Sequence, residues 1–167
     1  MNRTLPTLLA AFLMLVLGAV ALPACAAEPK IPASVAKALQ ESKTFELYSL
    51  NPNVEDKPDD TNFQGWKILG KTSIDDAKTR ASLVAALQKG VADNTDGIIA
   101  ACFMPRHGIR LSHRGKTIDI VICFQCYSSK VFIDGKPTEG FIHTDSPRDT
   151  FNKVLKDAKV ELPKGIE

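Results

Sequence analysis

The sequence predicts an α+β domain: an antiparallel sheet of about five to six strands with about three helices, mainly on one face. Two observations indicate this class. Apolar residues recur at helical spacing in three segments and alternate with a two-residue period in the segments between them. In the second half, the strand-like segments follow one another through short turns, as in an antiparallel meander.

The first 26 residues are predicted to be a signal peptide. Arg3 precedes an apolar run over residues 8–22, which is shorter than the roughly 20 residues of a membrane-spanning helix. Ala24 and Ala26 suit an ordinary signal peptidase, whereas the Leu-Pro-Ala-Cys sequence ending at Cys25 resembles the lipobox of bacterial lipoproteins. The chain is therefore expected to be exported from a bacterial cytoplasm, either as a periplasmic protein or as a lipoprotein anchored through Cys25.

Residues 27–167 are predicted to form one domain. Its first half should contain a helix over residues 32–42, a strand over 45–50, an exposed loop over 51–64 and a strand over 66–72. The loop is indicated by its many turn-forming residues and by the lack of an apolar stripe.

The second helix is predicted between Ser73 as N-cap and Gly90 as its end, with Asp76 completing a capping box. Ala77 and Ala81 are expected to begin its buried stripe.

Four strands should follow, over residues 98–104, 107–113, 117–126 and 131–134. A third helix is expected to begin with Ser146 as its cap and Pro147 in its first turn.

One hairpin has a predicted register. If Arg114 and Gly115 form its tip, facing residues have numbers that add up to 229, which pairs Arg110 with Asp119. Apolar residues then share one face, and the Arg110–Asp119 pair lies on the other, solvent-facing side.

The same alternation places Cys126 on the core face and Cys123 on the opposite face of a regular strand. Cys123 and Cys126 are therefore not expected to pair with each other. A bulge near Pro105, which cannot donate a ladder hydrogen bond, would instead bring Cys102 opposite Cys126.

Several segments resemble an uncharacterised family of exported bacterial proteins. They are Cys-Phe-x-Pro-Arg-His-Gly at 102–108, Ile-Cys-Phe-x-Cys at 122–126, Phe-Glu-Leu-Tyr-Ser-Leu at 45–50, Gly-Trp-Lys-Ile-Leu-Gly-Lys at 65–71 and the Ser-Pro pair before the last helix. The resemblance implies export and a shared fold, and it implies no activity, ligand or catalytic residue.

Removal or lipidation of Cys25 leaves three cysteines, an odd number, and three hypotheses for their use. The first is a structural disulfide between Cys102 and Cys126. The second is a zinc or iron site formed by Cys102, His107, Cys123 and Cys126. The third is redox chemistry at Cys123, activated by the charge of Arg106.

Composition and motifs favour binding over catalysis. Without residues 1–25 the chain keeps 20 basic and 19 acidic side chains, so no strong field would attract nucleic acid or anionic lipid. The sequence shows no Ser-His-Asp order, paired-acid motif or phosphate loop. We therefore expect a binding module without a cofactor. Whether the chain is an enzyme stays open, although the missing motifs favour a protein without catalytic activity. Its surface would comprise Pro105, Arg106, His107 and Cys123 and would contact a protein or small molecule. Membrane contact is expected only through the lipid anchor.

Overall fold

The structure is a computed structural model that describes residues 30–54 and 61–163. The predicted signal peptide, Cys25 and part of the predicted loop 51–64 lie outside the described residues. The helices are α1 (Ala33–Glu41), α2 (Ala77–Asp93) and α3 (Arg148–Asp157), and the strands are β1 (Thr44–Val54), β2 (Asn62–Phe63), β3 (Trp66–Ser73), β4 (His107–His113), β5 (Lys116–Cys123), β6 (Ser128–Ile133) and β7 (Lys136–Ile142).

The seven strands in the described part of the chain form one antiparallel sheet in the order β2-β3-β1-β4-β5-β6-β7. The predicted α+β class is confirmed, but the predicted count of five to six strands is too low. The sequence does not indicate β2 and β7, because β2 is two residues long and β7, Lys-Pro-Thr-Glu-Gly-Phe-Ile, has little apolar alternation. Within the described ranges, no helix is long and apolar enough to span a bilayer.

The main core lies between the three helices and one face of the sheet. Strands β4 and β5 contribute alternate residues to it, and the helices contribute one side each. The largest fully buried side chains of this core are Leu47, Leu83, Leu87, Ile109, Leu111, Ile120, Ile122, Phe151 and Leu155. The described helices thus cover this face.

A second core lies on the opposite face and contains no helix residue. It consists of Tyr48, Leu50, Phe63, Trp66 and Val121. The β2–β3 hairpin curls over this face, since a Cβ built on Gly108 of β4 would come within 2.6 Å of the Phe63 ring. The face that the sequence assigned to solvent is therefore partly buried by the sheet's own curvature.

The helix termini differ from the predicted ones. Asp76 is itself the N-cap of α2 and accepts a hydrogen bond from the Thr79 N–H at 2.7 Å. Gly90 lies inside α2, where a Cβ would come within 2.6 Å of Pro147.

The third helix begins at Arg148 after Pro147, so Ser146 is not its cap. Ala77 and Ala81 are exposed, because the buried stripe of α2 starts at Leu83.

The predicted register of the β4–β5 hairpin is confirmed. Ile109 faces Ile120 and Arg110 faces Asp119. Arg114 and Gly115 form the tip with φ angles of +52° and +74°, the left-handed conformation that two-residue hairpin turns require.

Candidate functional site

The three cysteines of the described residues, Cys102, Cys123 and Cys126, lie together where β5 ends. The strand stops at Cys123, and residues 123–126 form a turn closed by a hydrogen bond from the Cys126 N–H to the Cys123 carbonyl at 3.2 Å. The Cys126 N–H also contacts Cys123 Sγ at 3.2 Å. The prediction that the two cysteines lie on opposite faces of one strand is wrong, because the turn replaces strand alternation before Cys126.

Cys102 approaches Cys126 from a different segment, and the two Sγ atoms are 3.0 Å apart. The predicted proximity of these sulfurs is confirmed. All three cysteines are free thiols in this structure. Cys102 is exposed, whereas Cys123 and Cys126 are fully buried.

The segment that carries Cys102 is an irregular loop, and the predicted strand over 98–104 is wrong. Asn94 fixes its start: the side-chain amide donates to the Ile98 carbonyl at 2.9 Å and accepts from the Ile98 N–H at 3.1 Å. The Ala100 N–H then donates to the Cys126 carbonyl at 3.1 Å. These hydrogen bonds hold the loop against the Cys123–Cys126 turn without the backbone pairing of a β-sheet.

The loop exposes apolar side chains around Cys102. The exposed fractions are 57% for Ile98, 58% for Ile99 and 37% for Met104. We call residues 98–104 the apolar loop. The apolar run at 98–104 fits a buried strand as well as an exposed loop, so the sequence alone does not distinguish the two.

A cleft of about 250 Å³ opens beside Ile98. Tyr127 and three carboxylates, those of Asp93, Asp96 and Asp145, also line it. Two of the three lie near a cation of the same chain: Asp93 is paired with Lys89, and Asp145 lies 3.9 Å from Arg148. The cleft therefore combines an apolar lip with an acidic wall.

The protonation of the thiols follows from their contacts. Burial raises the pKa of Cys126, and its contact with the Cys123 side chain raises that pKa further. Hydrogen bonding to the Cys126 thiol raises the pKa of Cys102. Because the thiolate is the nucleophile, Cys102 and Cys126 are not activated in this arrangement.

Arg106 does not bond to a sulfur. Its guanidinium donates to the Gln125 side-chain carbonyl at 2.8 Å. The proposed reactive thiol, Cys123, is fully buried, so the accessible cysteine of the cluster is Cys102 and not Cys123. Redox chemistry at Cys123 stays a prediction, and it would have to proceed at a buried sulfur that receives no hydrogen bond from Arg106.

His107 lies under α3 in the main core. Its Nε2 donates to Asn152 Oδ1 at 2.9 Å, and its ring packs on Phe124 and Phe151. Burial lowers the pKa of His107 to about 4. His107 is a neutral core residue in this setting.

His143 is a second buried histidine and lies between β7 and α3. It is fully buried, with Nδ1 donating to the Thr144 carbonyl at 2.8 Å, and burial lowers its pKa as well. The rings of His143 and His107 both pack on Phe124, with centroid distances of 5.3 and 5.1 Å.

The predicted binding surface is not a surface. Pro105, His107 and Cys123 are buried, and Arg106 is half-buried. Accessible side chains are instead found a few residues earlier, on the apolar loop.

The predicted metal ligands are brought together only in part, since the three cysteines cluster while His107 Nε2 is bonded to Asn152. Among the described residues, no group of three or more His, Cys, Asp and Glu side chains is arranged to hold a metal ion. The zinc or iron site stays a prediction.

No family model matches the chain, and neither a curated protein nor a solved structure matches it. The resemblance to exported bacterial proteins therefore stays a prediction, and the site must be interpreted from its own geometry.

Proposed function

We propose that the protein is a non-catalytic, exported binding module that contacts a protein partner through the apolar loop. A disulfide between Cys102 and Cys126 would fix the loop after export. The observation that carries the proposal is the position of an exposed apolar segment directly beside two sulfurs 3.0 Å apart.

Exposed isoleucines support a binding role because adjacent apolar side chains exposed to water often mark interaction sites. The loop is also held in place: Asn94 and the Cys126 carbonyl bind its backbone. A pre-ordered loop loses less conformational entropy on binding than a free one, which favours affinity.

The adjoining cleft indicates the chemistry of the partner. Its carboxylates and its apolar lip at Ile98 suit a polypeptide segment that has a Lys or Arg next to apolar residues. The Asp96 carboxylate accepts a hydrogen bond from the Thr95 hydroxyl. It is the acid that would form an ion pair with the Lys or Arg of the partner.

Site-specific photo-crosslinking in the native host tests the proposal. A photo-crosslinking amino acid at position 99 should give a discrete protein adduct, and Ile98→Asp should reduce its yield. Position 153 on α3 is the matched control, because Lys153 is exposed but distant in sequence from the loop. Equal adduct yields from the two positions, or none from position 99, would contradict the binding function.

A second candidate is a thiol-redox protein, favoured by one observation: an exposed thiol, Cys102, contacts a buried one, Cys126. The reduction potential separates the two functions. A structural disulfide should have a potential below about −300 mV, whereas a redox-active one should lie well above it.

Metal analysis of the same purified protein tests the alternative of zinc or iron, which predicts one bound ion per chain.

A further inference from the structure

The turn over residues 123–126 permits a second disulfide. In a strand, Cα atoms three residues apart are about 10 Å apart, which is too far for a disulfide. A turn closed between residues i and i+3 brings these Cα atoms within about 7 Å, and a disulfide requires about 4.4–6.8 Å. The hydrogen bond from the Cys126 N–H to the Cys123 carbonyl closes such a turn.

Cys126 is the neighbour that the other two cysteines share. Its Sγ lies 3.0 Å from Cys102 Sγ, and its own N–H holds Cys123 Sγ at 3.2 Å. One sulfur thus has two potential disulfide partners, one exposed and one buried.

We propose that Cys126 exchanges its disulfide between Cys102 and Cys123, and that this exchange releases Cys102 as a surface thiol in the apolar loop. The inference rests on the proposed Cys102–Cys126 disulfide. It adds a regulated attachment site for a disulfide-containing polypeptide.

The exchange needs no external oxidant. The Cys123 sulfur attacks Cys126 Sγ, the Cys123–Cys126 bond forms, and the Cys102–Cys126 bond breaks. The proton of Cys123 ends on Cys102, so the chain keeps one disulfide and one thiol throughout. The three cysteines left once Cys25 is removed or lipidated are what allow this: the remaining thiol is the buried Cys123 in one isomer and the exposed Cys102 in the other.

The released Cys102 thiol should also be more reactive than it is in the fully reduced chain. The largest cause of its raised pKa is the hydrogen bond with the Cys126 thiol, and that thiol no longer exists once Cys126 is bonded to Cys123. The freed Cys102 would then attack a disulfide of a polypeptide bound at the apolar loop. A mixed disulfide forms on Cys102, and the second sulfur of the partner leaves as a thiol.

Disulfide mapping of purified variants in their processed form, in which Cys25 is absent or lipidated, tests the exchange in an oxidising glutathione buffer. Cys102→Ala should form the Cys123–Cys126 disulfide, and its mass should be lower than that of the reduced chain by two hydrogen atoms. Cys123→Ala should form the Cys102–Cys126 disulfide. Circular dichroism confirms that each variant is folded, and Cys126→Ala is the control that should form neither bond.

The oxidised wild-type chain supplies the second readout. Alkylation followed by peptide mapping should label both Cys102 and Cys123, and Cys123→Ala should reduce Cys102 labelling several-fold. A folded Cys102→Ala chain that keeps two free thiols would overturn the exchange, as would equal labelling of Cys102 in the wild type and Cys123→Ala. Failure of Cys123→Ala to form Cys102–Cys126 would instead refute the disulfide of the proposed function.

Discussion

Arg110 and Asp119 face each other across the β4–β5 hairpin and form a bidentate ion pair, with both nitrogen–oxygen distances at 2.7 Å. The Asp119 side chain is only 3% exposed. It also accepts a hydrogen bond from Gln64 Nε2 at 2.7 Å, and the Arg110 guanidinium lies over the Phe63 ring. The curled β2–β3 hairpin has therefore turned a surface pair into a partly desolvated one.

Arg110→Ala should lower the free energy of unfolding by about 3 kcal/mol, because it leaves the buried Asp119 carboxylate without its cation. Urea denaturation measures the change. The matched control is Lys153→Ala, which breaks the exposed Lys153–Asp157 pair and should cost less than about 1 kcal/mol. Similar losses in the two variants would mean that burial of Asp119 has no energetic effect.

Acid should destabilise the fold through His107. Its pKa is about 4 in the folded chain against an ordinary value of 6.5, so the unfolded chain binds more protons between these pH values. The contribution of His107 to the free energy of unfolding should thus be fully present above about pH 6.5, and the free energy of unfolding should fall by about 3 kcal/mol as the pH drops to about 4.

Urea denaturation at several pH values checks this, with His107→Gln expected to flatten the slope. Asn152→Ala is the control that should keep or steepen it, since the Asn152 contact opposes the lowering of the His107 pKa. An unchanged slope in His107→Gln would assign the acid sensitivity to other groups, including the buried His143.

Gly108→Ala should destabilise the protein by about 1–3 kcal/mol, because the added methyl group overlaps the Phe63 ring. The double variant Gly108→Ala with Phe63→Leu should lose less than the sum of the two single changes. Thermal unfolding of the four chains gives the coupling. Strict additivity would show that Phe63 does not pack over Gly108.

The Cys102–Cys126 disulfide should stabilise the oxidised chain by about 3 kcal/mol, the value expected for closing a loop of 24 residues. Under oxidising conditions, Cys102→Ala should be less stable by this amount, minus whatever a Cys123–Cys126 disulfide contributes. In a reducing buffer, the same substitution should cost almost no stability. Unfolding curves in both buffers measure it. A loss of the same size in the reducing buffer would indicate a packing role for Cys102.

Processing should leave a mature chain that starts between Cys25 and Glu28, because the apolar run and the small residues specify cleavage there. Intact-mass measurement of protein from the native host gives both the start and any lipid on Cys25. Unprocessed chains in the cytoplasm would remove the premise of an oxidising compartment.

The sequence by itself determined the α+β class and the hairpin register, because both depend on local signals. At the tip, Arg114 and Gly115 adopt the left-handed conformation of a tight turn, and the alternating isoleucines allow one register only. The proximity of Cys102 and Cys126 was also predicted, but from a bulged strand at 98–104 and a strand position for Cys126, whereas the structure has a loop and a turn there.

Only the tertiary structure decided which groups are buried. Asp119 is desolvated by Phe63 and Gln64, residues from a hairpin far away in sequence, so no local pattern around Asp119 could predict it. Likewise, the apolar run at 98–104 fits a core strand and an exposed loop equally well. The loop is stabilised by hydrogen bonds between the Asn94 side chain and the Ile98 backbone and from the Ala100 N–H to the Cys126 carbonyl. These bonds satisfy backbone groups that would otherwise need a neighbouring strand.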